Sequence, residues 1–215
     1  MALQPEGKMK REEAIEKFAI DKLKKLSNEE RAEQLEIMIL EDWSESKDWN
    51  LLSNEIIDEF ERGELRDNPS SPKYDHVLLI WLKNSLMGVS NEFLCKNLDI
   101  DLIEGEPLKL APCPCCGSRT IGERGNYEIC VVCWWEDDGQ DNDSADEIGG
   151  ANNGISLTQA RYNFIKHGIY DPRRKDLVKL QEPTDKYEKG REFEVVGDFV
   201  KEAGTNWKGN IKTKI

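Results

Sequence analysis

The sequence predicts an α+β fold, in which an N-terminal helical bundle precedes a small β-hairpin domain with one packed helix. Three observations lead to this fold class. Before position 100, apolar residues recur at the helical period between serine caps. Two cysteine pairs then flank a strand–turn–strand pattern, and another serine-capped apolar stripe follows. We expect three segments, which are the bundle (1–107), the hairpin domain (108–175) and a C-terminal extension (176–215).

Four or five helices are expected in the bundle. Apolar positions from Met9 to Leu26 follow the 3.6 period, and the "SNEE" after them is a capping box that starts the next helix. A third helix should run from a cap at Ser53 to a stop at Gly63. Beyond the loop "RDNPSSP", the stretch "YDHVLLIWLKNSLMG" is the most apolar helix, and Ser90 caps the last one. Their apolar faces predict a bundle.

The composition narrows the classes of partner. The chain has a net charge of -13, and residues 1–110 alone carry 15 basic and 25 acidic side chains. Such a charge repels phosphate backbones and favours a basic partner. The charged N-terminus has no apolar signal core, and the run "VLLIWL" is too short for a bilayer. We expect a cytoplasmic protein without membrane contact, where clustered cysteines indicate metal or redox chemistry.

Five of the six cysteines fall within the twenty-one positions that end at Cys133. Cys113 and Cys116 have C-x2-C spacing, Cys130 and Cys133 repeat it, and thirteen residues separate the pairs. One turn can deliver two sulfurs, and a hairpin of this length brings two turns together around one tetrahedral ion. The sequence therefore predicts one structural Zn²⁺ bound by these four cysteines.

The segment around the pairs has the pattern of a zinc ribbon. In "CPCCG" a proline fixes the turn, and Gly117 can adopt the left-handed conformation. "SRTIGERGNYEICVV" predicts a strand, a turn at residues 124–126 and a second strand. Two alternatives stay open at this point. Spacing alone permits Cys115 to replace a ligand, and rubredoxin-like iron could occupy similar knuckles.

An acidic run follows the second pair. Seven acids lie between positions 136 and 147 with no base among them, and Glu136, Asp137, Asp138 and Asp141 are the candidate partner-binding residues. Such a run can be a solvated loop, a set of hydrogen bonds that braces the ribbon, or a surface for a basic protein. No nucleophile or base is interleaved, and a four-thiolate site has no open coordination position. We therefore predict no enzymatic activity.

A capping box, "SLTQ" at 156–159, predicts a helix that stops at Gly168. Its stripe should pack on Trp134 or Trp135 and add the apolar contacts that so small a unit needs. The stripe consists of Leu157, Ala160, Phe164 and Ile165. The last forty residues favour either a hairpin laid over another unit or a partly disordered tail.

Taken together, "PCPCCGSRT", "YEICVVCWWEDDGQDND" and "GGANNGISLTQARYNF" resemble the bacterial cysteine-rich CPCC domain, over about Pro112 to Gly168. "NPSSPKYDHVLLIWL" and "GVSNEFL" are similar to the helical extension of some members. The resemblance implies a small domain met in gene neighbourhoods that include toxin and immunity genes, and it implies no particular reaction. Typical members have "CPVCFWEDD", so Val131 replaces a proline here, and Trp134 stands where ribbons often have glycine.

Two classes of function follow from these patterns. The first is a zinc-stabilised protein-interaction module, of the immunity type, that binds a basic toxin or another basic partner. The second is a zinc ribbon that binds nucleic acid or regulates. A ribbon that grips phosphate needs lysines and arginines on its face, whereas residues 111–175 carry 7 basic and 10 acidic side chains. Charge therefore favours the interaction module.

Overall fold

The computed structural model describes residues 7–41, 43 and 48–211. The chain divides into two compact units, residues 1–107 and 108–215. Within the described residues, no helix combines the length and the apolar character needed to cross a membrane. The elements of the first unit are β1 (Lys8–Lys10), α1 (Arg11–Leu23), α2 (Asn28–Leu40), α3 (Asn54–Arg62), α4 (Asp75–Leu86), α5 (Asn91–Leu98) and β2 (Leu102–Glu104).

Three helices of the first unit, α2, α3 and α5, begin at the serine caps that the sequence predicts. The Ser27 hydroxyl accepts a hydrogen bond from the Glu30 backbone, and the Glu30 carboxylate accepts one from the Ser27 backbone. Ser53 caps α3, and Gly63 ends it with a φ of 69°. Ser90 likewise accepts from the backbone N–H of Phe93 at the start of α5. The predicted helical N-terminal region is confirmed.

The core of the first unit contains a buried polar group that the sequence did not indicate. Residues such as Leu35, Leu78 and Tyr74 are fully buried. The Glu59 carboxylate is also buried, and it accepts hydrogen bonds from Lys73 at 2.6 Å and from the Tyr74 hydroxyl at 2.6 Å. Burial would raise the pKa of Glu59, but these bonds outweigh it and lower the pKa to about 2.

A short parallel sheet also belongs to the first unit, although only helices were predicted there. β1 pairs with β2, with Met9 opposite Ile103. The two strands lie at opposite ends of the unit's sequence. Each is only three residues long, and no local sequence pattern predicts a pairing between segments that far apart.

The second unit contains β3 (Ala111–Pro112), β4 (Arg119–Ile121), α6 (Leu157–His167), α7 (Lys175–Val178), β5 (Phe193–Val196), β6 (Phe199–Glu202) and β7 (Lys208–Asn210). The predicted α+β class is confirmed, but the pairing of the hairpin differs. β4 pairs antiparallel with β3, which precedes the first cysteine pair, and not with the segment after the turn. That segment forms only a bridge between Ile129 and Glu136. Each hairpin therefore closes around one C-x2-C turn, because the turn itself reverses the chain.

α6 runs from its Ser156 cap to Gly168, which has a φ of 76°. Only half of the predicted capping box forms: the Gln159 N–H donates to the Ser156 hydroxyl, but the Gln159 side-chain oxygen accepts no hydrogen bond from the described residues. Leu157 and Ala160 are buried in the core of the second unit, with Trp135 in the same cluster and Trp134 packed against it. The predicted packing of this helix beside the tryptophans is confirmed for Leu157, Ala160 and Phe164, whereas Ile165 does not belong to this cluster.

The C-terminal residues form a three-stranded antiparallel sheet in the order β5–β6–β7, which we call the C-terminal sheet. The sequence favoured either a hairpin or a partly disordered tail for these residues, and hairpin pairing is observed up to β7. Phe193 and Trp207 stand edge to face with ring centroids 6.4 Å apart. Trp207 packs on the cluster that contains the cysteines. The sheet is thus part of the core of the second unit.

Candidate metal centre

The first cysteine pair lies on a tight turn at the end of the β3–β4 hairpin. The Cys113 N–H donates to the Ser118 carbonyl at 2.8 Å, and the Gly117 N–H returns to the Cys113 carbonyl at 2.9 Å. Gly117 has a φ of 78°, and a Cβ built on it would lie 1.9 Å from the Arg191 carbonyl oxygen. Glycine is required here for both reasons.

The second pair lies on a turn of the same construction. The Trp134 N–H donates to the Cys130 carbonyl at 2.7 Å, and the Cys130 N–H donates to the Trp135 carbonyl at 2.9 Å. Trp134 has a φ of 65°, in the left-handed region that a bulky residue rarely adopts. Val131 stands where the family that the sequence resembles has a proline, and the turn forms with valine at this position.

The two turns bring four sulfurs together. The Sγ atoms of Cys113, Cys116, Cys130 and Cys133 all lie within 4.8 Å of one another, and all four residues are buried. The Cys113–Cys133 and Cys116–Cys130 sulfur pairs are each 3.6 Å apart. A tetrahedral ion with Zn–S bonds of about 2.3 Å needs sulfurs about 3.8 Å apart. The arrangement is therefore consistent with one metal ion and too open for disulfides.

The protonation of the quartet explains why an ion would stabilise it. Burial raises the pKa of the Cys113 and Cys133 thiols well above the ordinary value. Burial acts the same way on Cys116, but hydrogen bonds from the neighbouring thiols outweigh it and lower its pKa. Four buried thiolates without a counter-charge would repel one another, and one metal cation would permit all four to ionise.

Cys115 does not belong to the quartet that the structure brings together. Its side chain is buried in the same apolar cluster, and burial raises the pKa of its thiol. Polar groups around the other sulfurs orient the turns. The Thr120 hydroxyl lies 3.1 Å from the Cys130 sulfur, and the Lys189 ammonium donates to the Cys116 carbonyl at 3.0 Å.

Residues 111–185 match the family model described as "Cysteine-rich CPCC". This segment is a cysteine-rich CPCC domain. The match covers about a third of the chain and ends before β5, so the C-terminal sheet lies outside it. No curated protein and no solved structure matches the chain.

Within the CPCC domain, the acidic run is divided between inside and outside. Asp137 is fully buried, and its Oδ2 accepts hydrogen bonds from Arg124 at 2.7 Å and from the Gly125 backbone at 3.0 Å. Asp137 therefore has no exposed surface for a partner. Of the three interpretations of the acidic run, the one in which acids brace the ribbon through hydrogen bonds describes Asp137.

Asp141 joins a network of arginines at the edge of the CPCC domain. It lies 2.8 Å from Arg191 and 3.0 Å from Arg124. Burial would raise the pKa of Asp141, but the hydrogen bonds from Arg191 and Arg124 outweigh it and lower the pKa to about 2. Arg191 also pairs with Glu202 of β6, so Asp141 is tied to the C-terminal sheet.

The two remaining candidates are partly exposed. Glu136 is half-buried and its backbone is held by the Asn152 side chain at 3.0 and 2.9 Å. Asp138 is half-buried and accepts from the Gln140 N–H. Three further acids of the run are exposed, and Ile148 beside them is 71% exposed. We call Asp143, Asp146, Glu147 and Ile148 the acidic face.

Arg161 is the residue of this centre that the sequence interpretation missed. It is fully buried, and its Nε donates to the Pro114 carbonyl within the first turn at 2.8 Å. Burial lowers the pKa of Arg161 to about 10, and the charge of Arg191 acts in the same direction. The signal was present, because positions 157, 160, 161 and 164 share one helical face, which places an arginine in an apolar stripe.

Proposed function

We propose that the second unit is a non-catalytic module, in which a structural Zn²⁺ supports an acidic surface that binds a basic protein partner. The observation that carries the proposal is the buried quartet of thiols, whose four sulfurs leave no position for a substrate. A closed four-thiolate site contributes folding energy rather than chemistry.

Zinc is preferred to iron because of the environment of the sulfurs. Both ions accept four thiolates. Iron is redox-active, and an electron-transfer site must be accessible to an electron donor, whereas zinc is redox-inactive and needs no such access. All four cysteines are 4% exposed or less, which suits an ion that serves only the fold. Iron would give a coloured, redox-active protein, so the two ions are easily told apart.

The acidic face supports the second half of the proposal. It consists of three exposed carboxylates within five residues of Ile148, an exposed aliphatic side chain. An apolar anchor with a charged rim is the usual composition of a binding surface. The carboxylates would attract a basic partner and speed its association, and the anchor would supply contact area. By this proposal the partner is a basic protein, such as a toxin that the module neutralises.

A matched pair of triple variants tests the partner surface. In the first, Asp143→Lys, Glu147→Lys and Ile148→Ser change the acidic face. In the second, Glu192→Lys, Glu194→Lys and Val196→Ser make the same changes on exposed positions of β5 and its approach. Each alters the net charge equally, so a difference between them reports the place of the change and not the total charge.

Proteins captured from the native cells by the wild-type chain are identified, and the binding of each is then titrated over a range of salt. We expect the first variant to bind at least tenfold more weakly, chiefly through slower association, while the second binds as wild type does. Equal affinities and salt dependences for all three proteins would contradict the proposed surface. A labelled RNA or DNA that the pure protein shifts in a salt-dependent way would favour the nucleic-acid alternative.

A further inference from the structure

Three separate segments meet at the guanidinium of Arg161. Its Nε donates to Pro114 of the first cysteine turn, and its Nη1 donates to the Asn142 side chain at 2.8 Å. The ring centroids of Phe193 and Trp207 lie 4.2 and 4.3 Å from its Cζ. One helical side chain thereby contacts the cysteine turn, the acidic run and the aromatic residues of the C-terminal sheet region.

Burying the charged guanidinium of Arg161 costs free energy of desolvation. The side chain is fully buried, its Nη2 has no hydrogen-bond partner, and that nitrogen lies 3.7 Å from Asp141. A well-packed apolar side chain is often as stable as a buried ion pair, so stability alone gives little reason for an arginine here. The planar guanidinium of an arginine can, however, hold two acceptors at fixed positions relative to each other. Here the two acceptors are the Pro114 carbonyl and the Asn142 side-chain amide.

The carbonyl that Arg161 holds lies between two predicted ligands. Pro114 follows Cys113 and is two residues before Cys116, so its peptide plane is part of the turn that aims both sulfurs. Groups that hydrogen-bond to a ligand turn keep the sulfurs oriented, and losing such a group typically weakens metal binding about 10–100-fold.

The C-terminal sheet holds Arg161 in turn. The rings of Phe193 and Trp207, which stand edge to face, pack against two adjacent sides of the guanidinium, and the Trp207 indole donates to the Asn142 carbonyl at 2.9 Å. Asn142 also donates to Glu202 of β6 at 2.7 Å. These contacts come from residues beyond the range that matches the CPCC family.

We propose that Arg161 is a positioning residue for the metal centre, which transmits the order of the C-terminal sheet to the first cysteine turn. The inference rests on the metal site of the proposed function. It adds that retention of the ion depends on Phe193 and Trp207, which are far from the cysteines in sequence. The unit that binds metal is accordingly longer than the CPCC domain.

The test measures how fast zinc passes from the loaded full-length protein to an excess of a coloured chelator. Arg161→Met keeps an aliphatic stem of similar shape but removes the guanidinium, with its donors and its charge. Arg161→Lys keeps the charge but cannot reach both Pro114 and Asn142. Trp207→Leu removes one of the two rings that pack on the guanidinium, and the double variant Arg161→Met/Trp207→Leu completes a double-mutant cycle.

We expect Arg161→Met to release zinc about 10–100-fold faster than wild type, and Arg161→Lys and Trp207→Leu to release it faster by smaller factors. Because Trp207 acts through Arg161, the double variant should be no faster than Arg161→Met alone. Circular dichroism of the loaded variants confirms that they are folded. If Arg161→Met does not fold, the lysine and leucine variants carry the same comparison.

Two controls separate positioning from a general loss of stability. Arg173→Met removes an arginine whose side chain is 64% exposed, and it should release zinc at the wild-type rate. Val200→Ala opens a cavity at a fully buried position of β6, and it should lower the melting temperature with little change in release at room temperature.

Several results would overturn the inference. These are a wild-type rate for Arg161→Met, additive effects in the double variant, or release from Val200→Ala as fast as from Arg161→Met. A wild-type protein that binds no metal would instead refute the proposed function on which the inference rests, so the two failures are distinguishable.

Discussion

Gly117 and Trp134 occupy equivalent positions in the two cysteine turns. Each follows the second cysteine of its pair, each has a positive φ (78° and 65°), and each donates its N–H to the carbonyl of the first cysteine. The left-handed conformation costs a non-glycine residue about 1–2 kcal/mol. The second turn bears this strain in exchange for the contacts that the Trp134 ring makes with the core.

Replacing these two residues should therefore have unequal effects. Gly117→Ala places a Cβ 1.9 Å from the Arg191 carbonyl oxygen and should destabilise the second unit by more than about 3 kcal/mol. Trp134→Gly relieves strain but loses packing of a half-buried ring, so the net loss should be about 1–2 kcal/mol. Denaturant unfolding of the loaded proteins measures both values. A larger loss for Trp134→Gly than for Gly117→Ala would contradict the predicted order of the two losses.

Neighbouring acids in one run should also respond differently to neutralisation. Asp137→Asn breaks the buried pair with Arg124 and should cost about 3 kcal/mol of unfolding free energy. Asp138→Asn is the matched control, because among the described residues the half-buried Asp138 side chain forms no ion pair. This substitution should lower the free energy of unfolding by less than about 1 kcal/mol. Equal losses in denaturant titrations would show that Asp137 is not a brace.

Glu59 predicts a pH dependence in the first unit. Its pKa is lowered from 4.5 to about 2 in the folded chain. The folded state therefore binds this proton less readily than the unfolded state, and the stabilisation is complete above pH 4.5. It should decline as the pH falls from about 4.5 to 2, once Glu59 becomes protonated in the unfolded and then in the folded chain.

Glu59→Gln provides the comparison for that dependence. The variant should be less stable than wild type at neutral pH, because Lys73 loses the carboxylate that lies 2.6 Å away. The difference between the two proteins should shrink toward pH 2, as measured by thermal melting followed at the helix signal. A difference that stays constant across this range would exclude Glu59 as the titrating group.

The features that the sequence predicted correctly are local. A serine that caps a helix or a glycine that ends one acts within four residues, so Ser53 and Gly63 could be assigned from their neighbours. The spacing of the cysteines is local in the same sense, because each pair needs only one turn. For this reason the four clustered cysteines could be named in advance.

The features that were missed join distant segments. β3 and β4 are two and three residues long, and their pairing depends on the closure of the first cysteine turn rather than on strand propensity. The contacts of Arg161 span 47 residues to Pro114. The burial of Asp137 depends on Arg124, thirteen residues away, and nothing in a run of acids distinguishes the one that faces inward.

The central claim is that four cysteines bind one zinc ion, and elemental analysis of the purified protein tests it most directly. We predict one equivalent of zinc per chain in the wild type, and none in Cys133→Ser, in which the second unit should unfold while the helices of the first unit persist. Cys115→Ala should keep its zinc, since Cys115 stands outside the quartet. A wild-type protein free of metal, or loss of the ion from Cys115→Ala alone, would contradict the account.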